Sequence, residues 1–538
     1  QGVAAKVTAA VRRLRDKWVG ARQTIINDLR LTPEEVRSTA IGMMTGRSGR
    51  EQFIVDKVGD KSETVAHLER IRRASGLPIL DIAKEADRAV LSRLLAAETM
   101  AAIRAAGDAS EWYDATIAKT LGIMSLKYPE LATDPYARNA FLLATAITSQ
   151  NINVERNLAL GQQQYEAWRQ TGVYPLFGEG KSADVMRKSF RLANELRAEM
   201  GDALFYRFLR TPFLVSELNA AGLRVTGELA DEMVLGSSVF GPKIGFGFFS
   251  NLAGNFEPVT MDMWFMRLIG RLTGKLRAFD PDLLRVQLST MRGQLDARGT
   301  DGIYADTFDP ELVARARTDD VAAQQLARDV LRTHEKDFRD AREEYDAGRR
   351  VKTKLVNVAQ AIVGNLDDPI DAPAGGRERR QLRDVVRRAA EEVARMNGTR
   401  VPPASLQALV WYPEQELYLA LGVKLHVTSQ DYAGAAAKLL EEQGHERPAI
   451  ESAAKRGPEQ LQRMARRAKQ RGDRSSGAEV VDLSPLAGNE RGCRGRGGGR
   501  VAERDRQPGL RRGALRRAPR VRPRPGARRP RRPGPAGA

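Results

Sequence analysis

Apolar residues recur every three to four positions along most of this chain. Val7, Val11, Leu14, Trp18, Ile25 and Leu29 form one such stripe, and Leu326, Val330, Phe338, Ala341 and Tyr345 form another. That period gathers side chains on one face of an α-helix. Runs that alternate apolar with polar residues are scarce, so the pattern predicts an all-α fold. Gly and Pro interrupt it at Gly76-Leu77-Pro78, Asp134-Pro135, Gly172 to Gly180, Asp367 to Gly376 and Pro402-Pro403, which read as loops. Further on, Leu382, Val385, Val386, Ala389, Val393 and Met396 share one helix face, and Asn397-Gly398 suits a left-handed cap closing it.

This punctuation divides the chain into an N-terminal helical region (1–110), a core (111–275), a charged helical extension (276–450) and a disordered basic tail (451–538). With 42% hydrophobic residues in 538, several packed cores are within reach. Even counted across Thr145, the apolar stretch Ala140 to Ile147 is eight residues long. A bilayer needs roughly 18 to 20, so no membrane crossing is expected. The start at Gln1, with no signal pattern behind it, suggests a piece of something larger.

The single cysteine, Cys493, excludes a disulfide framework, a four-cysteine iron–sulfur cluster and any multi-cysteine zinc site, and it points to a reducing, cytoplasmic setting. His334-Glu335 lacks the second histidine of a zinc-protease helix, because Phe338 stands there, so His334 reads as a packed helix residue. No metal and no other cofactor is expected. The net charge of +19 is concentrated: 491–538 holds 17 Arg against Glu503 and Asp505, which leaves only +4 for the rest. Charge therefore describes the tail more than the folded part. A basic nucleic-acid arm and a shifted reading frame through GC-rich DNA would both give an Arg, Gly and Pro tract without Lys, and the second is favoured.

The informative stretch runs from Ser238 to Gly274. Gly241-Pro242 makes a tight turn, with Pro242 suited to the first position of a helix that ends near Gly254-Asn255. After an extended link, Asp262 stands where a second helix begins, with Phe265, Leu268, Ile269 and Leu272 on its apolar face. Backbone N–H groups at such a turn can hold a DNA phosphate without reading sequence.

These blocks resemble the helix-hairpin-helix DNA glycosylases, the endonuclease III type included. That family carries L-P-G-V-G-x-K-T-A followed by V-D-T-H-x-x-R-x-x-x-R. Here Gly241 matches the second hairpin glycine, Lys243 the lysine, Asp262 the aspartate, and Arg267 and Arg271 the two arginines. Upstream, AFLLATAITSQNINVERN resembles the family segment L-L-S-A-Q-A-T-D, with Gln150 in register with its glutamine. The blocks keep the family order and cover about 136–274. The segment is also similar to regions of very large multidomain proteins of phages and conjugative elements.

The resemblance implies a helix-hairpin-helix glycosylase-like core, double-stranded DNA as partner, and base excision with or without strand cleavage. It gives Asp262 as the catalytic carboxylate, Lys243 as a Schiff-base amine, and Gln150 as the group that fills the gap left by the extruded base. Asn151, Gly241 and Gly245 complete the expected DNA-binding set. The departures are Val239 at the first hairpin glycine, Trp264 at the histidine, and the missing cluster cysteines. A catalytically silent DNA-binding or structural module is the alternative.

Each residue also has a plainer reading. Asp262 is an ordinary helix N-cap type, Lys243 an ordinary first-turn lysine, and Gln150 an ordinary helix end. Gly178 to Ser182 resembles half a P-loop, but Pro175 occupies the required first glycine position, so it reads as a turn. Trp411-Tyr412-Pro413 reads as one helix ending and a proline-started one beginning, rather than as a base-stacking platform.

Overall fold

The computed structural model describes residues 39–40, 61–74, 76–106, 112–150, 152–277, 279–297, 303–423 and 431–472, all within one compact unit, Gln1–Asn489. The Val7 to Leu29 stripe, Asn151, Cys493 and everything from 473 onward lie outside the described residues. The described chain is predominantly helical, as the periodicity predicts. No helix among the described residues is long and apolar enough to cross a membrane. One short antiparallel pair, Pro212–Leu214 with Met233–Leu235, sets Phe213 opposite Val234 just ahead of the Gly241 turn.

Apolar side chains collect in three clusters. The first joins the helices Lys61–Ala74, Glu85–Ala106, Met263–Thr273, Gly376–Asn397 and Pro403–Ala420, with Leu95, Phe265, Val386 and Leu417 among its buried members. The second joins Trp112–Met124, Pro135–Thr148, Val154–Thr171 and Ala183–Phe208 with the Gly241 turn and with Tyr432–Glu442. The third is formed by Pro281–Arg292, Asp320–Asp340 and Lys354–Asp367. These clusters cut across sequence boundaries at 110 and 275, because residues after 380 return to pack on the N-terminal helices. His334 is buried in the third region, its ring edge-on to Tyr345.

Two elements differ from the sequence reading. Residues 403–420 form one helix with Pro413 inside it, so Trp411-Tyr412-Pro413 marks no boundary. Glu414, just beyond the proline, is completely buried, and packing holds the helix through a residue that weakens it locally. Residues 451–472, expected in the tail, belong to the helix Arg447–Gly472, which buries Ile450 and Ala453. A Cβ at Gly457 would stand 2.2 Å from Ala118 O, and one at Gly122 would stand 2.8 Å from Gly457 Cα. Glycines on both helices therefore allow a close crossing that a charge-based reading of this segment does not reveal.

Candidate functional site around Asp262 and Lys243

The site is built from the turn outward. A strand and a 3-10 turn, Gly236–Phe240, lead into Gly241, whose φ of 92° is a conformation that favours glycine. Pro242 opens the π-helix Pro242–Phe249. Gly241 O accepts from both Gly245 N (3.0 Å) and Phe246 N (3.2 Å), the second being the five-residue bond of a widened coil. Gly241 N–H itself donates to Ser238 O at 2.8 Å. The first-turn amides beyond it, Lys243 and Ile244, are those a helix start leaves for an external acceptor. Gly245 is a buried packing position: a Cβ there would lie 1.7 Å from Ser237 O.

The link to Asp262 is held by a residue that the sequence reading did not single out. Buried Asn251 donates to Asn255 O (3.0 Å) and Pro258 O (2.8 Å), and its Oδ1 accepts from Thr260 Oγ1 (2.8 Å). These bonds fix where the next helix starts. Asp262 caps it, accepting from Phe265 N at 2.8 Å. The π-helix belongs to the second apolar cluster and the Met263–Thr273 helix to the first, so the candidate site lies along the seam between them.

The half-buried Asp262 carboxyl has its pKa pushed up by burial. The Lys243 charge is the strongest influence pulling it back, followed by the Phe265 N–H and the Trp411 side chain. Trp411 Nε1 is buried and makes no full hydrogen bond.

Beside Lys243 is a small pocket with apolar walls from Pro242, Phe246, Val259 and Met261 and charged ones from Glu228, Arg379 and Arg383. Glu228 has a fully buried side chain, paired through one oxygen with Arg383, and its Oε2 has no partner. Burial raises its pKa, with Arg383 opposing. Arg379 donates to Gly227 O at 2.8 Å. Nothing in the sequence pairs Glu228 with arginines some 150 residues later.

The remaining expected residues have local duties. Gln150 is partly buried and donates to Ile147 O at 3.1 Å, so its side chain folds back on its own helix end. Arg267 is buried, stacked over Trp264 and bonded to Asp371 at 3.2 Å. Arg271 is buried between Glu98 and Glu414. Trp264, at the family's histidine position, is a core residue set edge-on to Tyr418. No family profile, curated protein or solved structure matches this chain.

Proposed function

We propose that this chain is a helix-hairpin-helix glycosylase-like enzyme that extrudes a base from double-stranded DNA and cleaves its N-glycosidic bond. The observation that carries the reading is the half-buried Asp262 at the start of its helix, directly after Met261 of a small pocket that Lys243 also lines. Breaking the bond builds positive charge on the sugar, which a nearby carboxylate stabilises. A carboxyl with a raised pKa can also take the proton from an attacking amine. In this scheme ionised Asp262 takes a proton from Lys243, the amine bonds to the sugar C1′ as the base departs with the bonding electron pair, and breaking the C1′–O4′ bond of that adduct, with the proton passing to O4′, opens the ring to the Schiff base that permits strand cleavage.

The rival is a silent DNA-binding module, favoured by the commitment of Asp262 Oδ1 to its cap. Borohydride treatment of the protein on abasic DNA separates the two. A covalent adduct lost in Lys243→Gln, with excision lost in Asp262→Asn while DNA affinity holds, is the expected result. DNA binding without adduct or released base across a broad lesion panel would leave the silent module.

A further inference from the structure

We propose that residues 227–232 form an acidic strap that occupies, in place of DNA phosphates, the arginines at the start of the Gly376–Asn397 helix, and that a DNA backbone binds by displacing it. The inference rests on DNA as the partner in the glycosylase reading. It adds a surface outside the stretch that resembles that family.

Six arginines fall between Arg377 and Arg388, and three of them reach across to the strap. Arg379 donates to Gly227 O at 2.8 Å. Arg380 bonds Asp231 at 2.7 Å and also Glu232, while Arg383 bonds Glu232 at 2.9 Å and also Glu228. Carboxylates thus stand where Arg380 and Arg383 would hold phosphates, since both anions accept the paired N–H groups of a guanidinium. The place suits a DNA backbone as well. A Cβ on Gly227 would lie 3.3 Å from Pro242 Cγ, so the strap lies against the start of the π-helix, whose first-turn amides can take a phosphate.

The closed strap is weakly held. No residue from 226 to 233 is buried as a whole, so ion pairs and backbone bonds fix it and no apolar core does. Arg380 is 43% exposed and Asp231 74%, and pairs so exposed contribute little and weaken with salt. Glu228 works against closure: its side chain is wholly buried, yet its Oε2 has no donor. A buried acceptor without a donor is costly, and opening returns it to water. Gly227 adds a constraint, because its φ of 80° favours glycine and a Cβ there would lie 2.9 Å from an Arg379 nitrogen.

The test is binding of the full chain to an undamaged duplex, read by fluorescence anisotropy at about 50 and 200 mM salt. Apparent affinity scales with the fraction of open molecules, so a change that disfavours the closed strap tightens binding. Gly227→Ala strains the closed backbone without altering net charge and should bind about fivefold more tightly. Asp231→Asn with Glu232→Gln frees Arg380 by a second route and should gain about as much; it decides alone if Gly227→Ala loses its cooperative melt. Asp282→Asn with Asp296→Asn removes the same charge from exposed pairs with Arg285 and Arg317 and should gain less than about twofold. On whichever strap variant folds, Arg380→Gln should lower the slope of log affinity against log salt by about one, as one phosphate contact is lost.

Unchanged or weaker binding by the strap variants, an equal gain from the Asp282 and Asp296 pair, or an unaltered salt slope without Arg380 would overturn the proposal. Failure of the glycosylase reading has a separate signature: lesion-bearing duplexes yield no free base while the strap variants still gain affinity. Absence of DNA binding in every protein would remove both.

Discussion

At Asp262 two roles compete within one carboxyl. As an N-cap it satisfies the Phe265 amide; as a half-buried acid its ionised form is disfavoured by burial and only partly supported by Lys243. Its folded pKa lies above its unfolded one. Its contribution to stability is therefore fully present below about pH 4, near the ordinary aspartate value, and is lost as pH rises through the folded value. Asparagine caps helices about as well and never ionises. Asp262→Asn should accordingly melt above the wild type at pH 7, with the difference closing as the pH falls toward 4. The same substitution should lower excision by about a hundredfold or more. A variant that melts lower at neutral pH would show that attraction to Lys243 outweighs burial. Asn251 poses a simpler test, because Asn251→Ala removes three hydrogen bonds from a buried link. It should cost about 2 to 4 kcal/mol in a denaturant titration.

At the scale of elements, the crossing of Trp112–Met124 with Arg447–Gly472 depends on glycines at 122 and 457. Gly457→Leu should force the helices apart and cost about 1 to 3 kcal/mol, read as an earlier unfolding midpoint. Truncation after 472 should leave that midpoint unchanged, whereas truncation after 446 should lower it by removing Ile450 and Ala453 from the core. Elements with strong local signals were legible in sequence. The face from Leu382 to Val393 is buried as its period predicts, and Gly398 closes the helix at φ 69°. The Gly241-Pro242 turn and the Asp262 cap were legible for the same reason, since turn and cap chemistry is local. Other features depend on partners far along the chain. The strand pair is three residues long on each side, too short to show alternation. Pro413 reads as a break because propensity acts locally while packing does not. Glu228 carries no local mark, since Arg379 and Arg383 reach it from some 150 residues further along the chain.

Across the whole molecule, Arg271 ties together three distant stretches of sequence. It lies at the C-terminal end of the helix that Asp262 begins, and it bonds Glu98 and Glu414, both within the first cluster. The Glu98 carboxylate also accepts from Ala40 N at 2.8 Å, so a fourth stretch is attached. Two buried carboxylates facing one guanidinium leave a net negative charge, and burial raises the Glu98 pKa against the pull of Arg271. Removing the arginine would strand both carboxylates. Arg271→Met should cost about 3 to 5 kcal/mol at pH 7. The sign of its pH dependence follows from Glu98, whose pKa burial raises: the penalty is absent below the ordinary glutamate value of about 4.3 and grows as pH rises through the folded value. Chemical denaturation at pH 4.5 and pH 7 should therefore show the gap between variant and wild type widening with pH. Adding Glu98→Gln and Glu414→Gln to Arg271→Met should recover much of the loss, because the neutral set no longer buries unpaired charge. A penalty equal at both pH values and unrelieved by the glutamines would mean that Arg271 acts through its volume and not its charge. In that case the position of the Asp262 helix would rest on packing around Trp264 and Tyr418 instead.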